Sequence, residues 1–175
     1  MTDDAVLRVR DLVVDFPSEA GTVNAVRGLS YDVAPREVFG VVGESGSGKS
    51  VSALAVLGLL PRHARVSGSV QYRGRELLGL NDAEMSRIRG REIAMVFQQP
   101  AAALNPFLTI SAQIAEVART HVSPSRREAM TAARSALDAA FGDDAARVAD
   151  SYPHELSGGQ QQRACIAQAV VARPA

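Results

Sequence analysis

The stretch Gly43-Glu44-Ser45-Gly46-Ser47-Gly48-Lys49-Ser50 decides the fold, because it satisfies the pattern G-x-x-x-x-G-K-[S/T] in full. The apolar run Val38 to Val42 precedes it and predicts a buried strand, and Val51 to Leu60 predict a helix that Pro61 ends. A phosphate-binding loop needs this order of strand, loop and helix. Its backbone N–H groups can surround a phosphate, Lys49 can reach the outer phosphates, and the Ser50 hydroxyl is placed to ligate Mg²⁺. A simple Gly/Ser-rich turn would not need the flanking strand and helix.

Composition narrows the class of protein. The 175 residues are 46% hydrophobic, which suits one globular domain or a large piece of one. Nineteen basic and nineteen acidic residues cancel, so we expect no nucleic-acid partner recruited by overall charge. The start, Met1 to Asp4, is acidic where a signal peptide would be basic, and no apolar run approaches the ~20 residues that span a bilayer. Cys165 is the only cysteine, which excludes an internal disulfide and predicts a small core residue on a helix.

The first part of the chain predicts a small β unit. Turn-forming segments separate runs rich in β-branched and aromatic residues. The predicted strands are Val6 to Phe16, Val23 to Val26, Leu29 to Val33, Ser69 to Tyr72 and Ile93 to Phe97. Asn81 and Glu84 resemble the cap of a short helix that reaches about Arg89.

The middle of the chain predicts a separate helical subdomain. Helical periodicity runs from Thr109 to Arg119 and from Pro124 to Phe141, with Ser123 as the predicted N-cap and Gly142 as the stop. One stripe of the second helix is apolar and is either core or a docking surface. Its members are Met130, Ala133, Leu137 and Phe141.

A second chemical signal is Leu156-Ser157-Gly158-Gly159-Gln160, which continues through Gln161-Gln162-Arg163 into an apolar-periodic helix ending near Arg173. Ser157 can cap this helix, and Gln160 can complete a capping box. Two glycines in the first turn weaken the helix and leave its amides uncovered. An uncovered helix N-terminus attracts anions, so this segment is either an anion site or only a well-capped helix.

These motifs together resemble the ATP-binding subunits of ABC transporters. The resemblance rests on residues 43–50, on Gln98 after a predicted strand, and on residues 156–163, and it covers essentially the whole chain. It implies an α/β P-loop NTPase fold, an ABC-type nucleotide-binding domain with an antiparallel β subdomain and an inserted helical subdomain. The implied division is a core with β subdomain over 1–107, a helical subdomain over 108–163, and a return to the core from 164 to 175.

The resemblance also assigns roles. It implies ATP and Mg²⁺ as cofactors, with Ser50 at the metal. It also implies that Gln98 is the Q-loop glutamine, a catalytic residue that approaches the metal and the permease. Phe16 falls where the family places an aromatic ring under adenine, although a phenylalanine at a strand end is equally explained by packing. The implied ATP-binding residues are Phe16, Gly43, Glu44, Ser45, Gly46, Ser47, Gly48, Lys49, Ser50 and Val51. The residues implied to contact the ATP of a partner subunit are Leu156, Ser157, Gly158, Gly159 and Gln160.

Three segments of the sequence are similar to the ATPases of dipeptide, oligopeptide and nickel importers. They are residues 43–60, Phe97 to Pro100 with Leu104 to Pro106, and Tyr152 to Leu156. Such ATPases pair with a second ATPase subunit, dock peripherally on permease subunits at the cytoplasmic face of the membrane, and do not touch the cargo. One departure is Arg36, where the family has glycine before the glutamate.

A larger departure concerns the catalytic acid. Hydrolysis needs carboxylates for the metal shell and the attacking water, usually at the end of an apolar strand. After Gln98, no run of four apolar residues leads into Asp or Glu. We therefore expect a subunit truncated before its Walker B motif and its switch histidine, unable to hydrolyse ATP alone. A non-catalytic regulatory module, a soluble ABC ATPase and, more distantly, a P-loop kinase remain as alternatives.

Overall fold

A computed structural model describes residues 4–19 and 21–174 of the chain. Met1 to Asp3, Ala20 and Ala175 lie outside the described residues, and with them most of the acidic start of the sequence. The chain divides into two compact units, Met1–Met85 and Ser86–Ala175. The boundaries suggested by the family resemblance, after residues 107 and 163, stay a prediction.

The first unit is built on a four-stranded antiparallel sheet in the order β2-β1-β3-β4. Its strands are β1 (Leu7–Ser18), β2 (Gly21–Val33), β3 (Arg65–Tyr72) and β4 (Arg75–Glu76). Fully buried valine and leucine side chains of β1 and β3, Val9, Leu12, Val14 and Val70, form the centre of its core. The antiparallel β subdomain predicted from the sequence is therefore present.

β2 is one strand where the sequence predicted two, Val23 to Val26 and Leu29 to Val33. The intervening Arg27 and Gly28 stay in the strand, and the pairing with β1 absorbs them by shifts in register. One shift lies between the pairs Val14–Val26 and Asp15–Asn24, which makes Ala25 the extra residue of a bulge.

Helix α1 spans Lys49–Val56, two residues earlier at its start and four earlier at its end than predicted. It ends before Pro61 because a Schellman motif closes it. Leu59 N–H donates to Leu54 O at 2.9 Å and Gly58 N–H donates to Ala55 O at 3.0 Å, with Gly58 at φ 59°.

Two predicted strands do not form. Val38 to Val42 has no regular structure, and Val38 and Val42 are 99% and 94% exposed. Ile93 makes one isolated bridge with Arg89, and residues 94–97 pair with nothing among the described residues. The apolar composition was right for strands, but a strand needs a neighbour to bond its N–H and C=O groups, and no described strand lies beside these segments.

The position of Arg36 supplies a left-handed turn. Its φ is 62°, and Glu37 N–H donates to Ala34 O at 3.3 Å, while the Glu37 carboxylate accepts from Ala34 N–H at 2.6 Å. The turn thus has the backbone conformation that favours glycine, with arginine in its place.

The remaining elements are helical. They are α2 (Asp82–Ile88), α3 (Pro100–Ala103), α4 (Ile110–His121), α5 (Arg126–Phe141), α6 (Ala145–Asp150) and α7 (Gly158–Val170), with 3-10 turns at Gly142–Asp144 and Pro153–Glu155. The predicted cap of α2 is confirmed, since Asn81 Oδ1 accepts from Glu84 N–H at 3.0 Å and Glu84 Oε2 accepts from Asn81 N–H at 3.1 Å. α7 ends at Val170, three residues earlier than predicted.

The start of α5 corrects the sequence-based prediction. Ser125, not Ser123, is the N-cap, because its hydroxyl accepts from Glu128 N–H at 3.4 Å. Glu128, three residues after Ser125, favours this cap over one that would place Pro124 in the first turn. Ser123 lies outside the helix, where its hydroxyl donates to Glu128 Oε2 and accepts from Ser125 N–H. Gly142 ends the helix as predicted, at φ 57°.

The apolar stripe of α5 is core. Ala133, Leu137 and Phe141 are buried against α4, α6 and α7, and Met130 packs at their margin. Cys165 is a buried residue of α7, as predicted, and its burial raises the pKa of its thiol.

Candidate functional site

The glycine-rich loop leads directly into α1. Ser47 N–H donates to Glu44 O at 3.2 Å, and Gly48 is the N-cap of the helix in a left-handed conformation, φ 90°. Ser52 N–H donates to Gly48 O at 2.8 Å, which is the first hydrogen bond of the helix ladder. Residues 43–48 therefore curl at the positive end of the helix dipole, the arrangement that favours a bound phosphate.

Gly48 is required by space as well as by conformation. A Cβ atom at this position would lie 2.4 Å from the Ala25 carbonyl oxygen and 3.2 Å from Val26 Cγ2. Ala25 is the extra residue of the β2 bulge, so the bulge and the start of α1 come into direct contact. Bulges commonly lie beside functional sites, where they redirect the backbone.

Lys49 binds the loop that precedes it. Its Nζ donates to Gly43 O at 2.7 Å, to Glu44 O at 2.6 Å and to Ser47 Oγ at 3.2 Å. Lys49 is also the only lysine of the sequence, against eighteen arginines. An ammonium group is thus held at the mouth of the loop by three oxygens that a phosphate can replace as partners.

A half-open cavity of about 560 Å³ lies between the loop and β2. Polar and small residues dominate its wall, and its volume suits a small ligand. The lining residues are Asn24, Ala25, Val26, Arg27, Gly28, Leu29, Val41, Val42, Gly43, Gly46, Ser47, Gly48, Lys49 and Ser52. The loop glycines and Lys49, predicted as ATP-binding, thus share one cavity.

Ser50 and Val51 are the second and third residues of α1. The Ser50 hydroxyl is exposed and makes no hydrogen bond within the described part of the chain. Mg²⁺ usually takes one or two protein oxygens and completes its shell with phosphate and water. A free hydroxyl beside the loop fits that requirement, so Ser50 would be the residue of this loop to hold the ion.

Phe16 lies near the end of β1, where it pairs with Val23 of β2. Its ring meets the ring of His63 edge to face, with centroids 6.0 Å apart. Phe16 is not among the residues that line the cavity. Its contact with adenine stays a prediction.

Gln98 lies in the second unit, in a bend just before α3, and its side chain is exposed. Gln99 is the N-cap of α3, and Pro100 is its first residue. The role of Gln98 at the metal also stays a prediction.

The second motif begins α7. The predicted capping box is present, with Ser157 as N-cap and Gln160 as its partner. Leu156 is buried, whereas Ser157, Gly158 and Gly159 are exposed. A Cβ added to Gly158 or Gly159 would meet nothing within 4 Å, so neither glycine is required by a neighbour among the described residues. The first turn presents bare backbone to open space.

Two glutamine side chains, whose roles the sequence did not predict, form hydrogen bonds between loops and helices. Gln161 Nε2 donates to Pro153 O at 2.7 Å and to Leu156 O at 3.2 Å. Buried Gln113 on α4 bonds the backbone of Asn105 in both directions and donates to Leu108 O at 2.9 Å. No sequence pattern predicts these hydrogen bonds, because their acceptors are backbone carbonyl groups whose positions depend on the fold.

Other kinds of site are not supported by what is described. Within residues 4–19 and 21–174, no group of three or more His, Cys, Asp or Glu side chains could hold a metal ion. Each helix in the same ranges is too short or too polar to cross a lipid bilayer.

Comparison with known proteins decides the family. The sequence profile described as "ABC transporter" matches residues 26–175. The chain belongs to the ABC transporter family. Its fold is the P-loop NTPase fold of the ABC cassette, as the sequence predicted.

Two relatives carry the name of an oligopeptide transport ATP-binding protein. The chain is 42% identical over 171 residues to the oligopeptide transport ATP-binding protein OppD of Escherichia coli, covering 98% of this chain and 51% of that protein. It is 48% identical over 170 residues to the protein of the same name from Mycobacterium tuberculosis, covering 97% of this chain and 28% of that protein. The chain therefore spans about half the length, or less, of these relatives.

A solved ABC cassette is similar in structure. The dimer of the ATP-binding cassette MJ0796 bound to ADP and phosphate matches with a TM-score of 0.83 and 27% identity, over 96% of this chain and 70% of that chain. ABC cassettes of this kind are ATPases, and the ABC cassette is an ATP-binding domain.

Proposed function

We propose that this chain is the ATP-binding part of an importer for peptides, working in a pair of ATPase subunits on a membrane permease. The observation that carries the proposal is the loop 43–50, which curls against the start of α1 with Lys49 at its mouth. The names of the relatives support peptide cargo, and nickel is the other cargo that the sequence resemblance suggests.

The two motifs serve different nucleotides in this proposal. Residues 43–51 bind one ATP, with Ser50 and Gln98 at its Mg²⁺ and Phe16 against its adenine. Leu156 to Gln160 would face the γ-phosphate of the ATP held by the second subunit. The open first turn of α7 supports this role, because Gly158 and Gly159 leave room for a ligand's approach.

ATP then acts as a clamp. A nucleotide bound by both subunits favours the closed pair, and hydrolysis removes that preference. The permease subunits would receive the motion at the cytoplasmic face of the membrane. In this arrangement the chain touches neither the cargo nor nucleic acid.

We infer that these 175 residues bind ATP weakly and do not turn it over. Hydrolysis requires a carboxylate at the metal and another at the attacking water. The sequence after Gln98 has no apolar strand that ends in Asp or Glu. Binding through the loop does not depend on those acids.

Lys49 allows a direct test of binding. Besides the amine at the start of the polypeptide, it is the chain's only amine. We expect Mg-ATP to slow acetylation of Lys49 by an N-hydroxysuccinimide ester, measured by mass spectrometry, while the terminal amine serves as the internal control. Equal labelling with and without ATP would contradict binding at the loop. Phosphate release that Lys49→Ala abolishes would contradict the absence of turnover.

The missing acids also favour a second candidate, a non-catalytic module that pairs with intact ABC subunits and regulates them. Co-purification with an intact subunit, together with a changed ATPase rate of that subunit, distinguishes this module from an inert chain. A soluble ABC ATPase would act without a permease. Binding to permease-containing vesicles but not to protein-free vesicles separates that alternative from the importer.

A further inference from the structure

The cavity beside the loop contains a cation that the known motifs do not use. Of its lining residues, two are ionisable, Arg27 and Lys49, and both are positive. The carboxylates nearest to these two cations in sequence, Asp32 and Glu44, are not part of the lining. The cavity therefore carries net positive charge and suits an anionic ligand.

The two cations differ in their present partners. Lys49 is held by three oxygens of the loop. The Arg27 side chain is exposed and makes no hydrogen bond or ion pair within the described residues. Its guanidinium group is therefore available without first breaking a contact in the protein.

Arg27 is also within reach of the loop. Ala25, two residues before it on β2, has its carbonyl oxygen against Gly48. Two residues of strand span at most about 7 Å. An extended arginine side chain covers such a distance, and its planar group matches phosphate oxygens in pairs.

We propose that Arg27 is a second cationic contact to the polyphosphate of the nucleotide, in addition to Lys49. This inference rests on the proposed ATP site. It makes Arg27 a binding residue that favours nucleotides with more phosphate charge. Its effect on ATP binding is expected to fall as the ionic strength rises, because exposed charges are screened by salt.

The test compares ligands that differ only in phosphate. Isothermal titration of the 175-residue chain is carried out with ATP and with adenosine, for the wild type, Arg27→Gln and Arg27→Lys. We expect Arg27→Gln to weaken ATP binding roughly tenfold, as for loss of a charge-assisted contact, and to leave adenosine binding unchanged. Arg27→Lys should recover most of the loss, since it keeps the charge.

Arg65→Gln is the matched control, an exposed arginine of β3 outside the cavity lining. Circular dichroism checks that each variant is folded. ATP binding by Arg27→Gln within about twofold of the Arg65→Gln control would overturn the proposal, as would an equal loss for ATP and adenosine. If the folded wild type bound no ATP at all, the proposed ATP-binding function would itself be wrong. If the wild type binds ATP and Arg27→Gln binds it as well as the control does, only the role of Arg27 is wrong.

Discussion

Ser157 and Gln160 cap α7 by bonding each other's backbone. Ser157 Oγ accepts from Gln160 N–H at 3.4 Å, and Gln160 Oε1 accepts from Ser157 N–H at 3.0 Å. Ser157→Ala removes one acceptor, so we expect it to lower the free energy of unfolding by about 1 kcal/mol. Urea denaturation measures the loss. Ser135→Ala, at an exposed position within α5, is the control and should change stability by no more than about 0.5 kcal/mol; equal losses would contradict the cap.

Gly48 and Gly46 separate the effect of contact from that of backbone conformation. Both have positive φ, 90° and 83°, but only Gly48 has an atom near its absent Cβ. Gly46→Ala should therefore cost about 1 kcal/mol, for conformation alone. Gly48→Ala should cost on the order of 2–4 kcal/mol, because its methyl group also meets the Ala25 carbonyl oxygen. Similar denaturation midpoints for the two variants would disprove the close approach.

Arg36 is a position where glycine should stabilise the chain. Its φ of 62° is strained for residues with a side chain. We expect Arg36→Gly to raise the free energy of unfolding by a few tenths to about 1 kcal/mol. Arg36→Ala keeps the strain and removes the same side chain, so it should stay near the wild type. A gain with alanine equal to that with glycine would assign the effect to the arginine side chain instead.

The hydrogen bonds of the Glu76 carboxylate make the stability of the fold depend on pH. Burial alone would raise its pKa, but hydrogen bonds from the Ser69 hydroxyl and the N–H groups of Val70, Leu78 and Leu77 outweigh burial and lower the pKa below 4.5. The folded state thus binds the proton less tightly than the unfolded chain. The stabilisation is present above pH 4.5 and is lost as the pH falls through the lower folded pKa.

Glu76→Gln should therefore lower stability at pH 7 by on the order of 1–2 kcal/mol, because the amide offers fewer acceptors to these donors. The difference from the wild type should narrow as the pH drops through the window below 4.5. Thermal unfolding monitored by circular dichroism across pH 3 to 7 is the measurement, and Glu19→Gln in the first hairpin is the control. A difference that stays constant over this range would argue against a lowered pKa.

Gln161 and Gln162 are neighbours on α7 that differ in their contacts. Gln161 Nε2 bonds two carbonyl oxygens of the segment before the helix, while Gln162 is exposed. We expect Gln161→Leu to cost about 1–2 kcal/mol, since it leaves the Pro153 and Leu156 carbonyls short of a donor. Gln162→Leu should stay within about 0.5 kcal/mol of the wild type. Hydrogen exchange of residues 153–157, faster in the first variant only, would locate the effect.

Local patterns were enough for much of this structure. The loop 43–50, the capping pairs of α2 and α7, and the buried stripe of α5 all depend on residues within one or two turns of each other. Their physical causes are local hydrogen bonds and the periodicity of apolar residues, and both can be predicted directly from the sequence. The family, too, follows from short motifs.

What sequence reasoning missed depends on distant neighbours. Val38 to Val42 has the composition of a strand, but pairing requires a second strand that the composition of this segment cannot supply. Ser123 and Ser125 both suit a cap, and the position of Glu128 decided between them. The bulge at Ala25 and the tie made by Gln161 arise where two separate elements meet, so neither has a local pattern.

The contact between Gly48 and Ala25 fixes the position of the phosphate-binding loop relative to β2. Since no atom fits between them, the loop cannot shift toward β2, and β2 is bonded along its length to β1. Any inward movement of the loop must therefore displace the sheet as a whole. A spectroscopic label on the exposed Val23 of the same strand would report that movement.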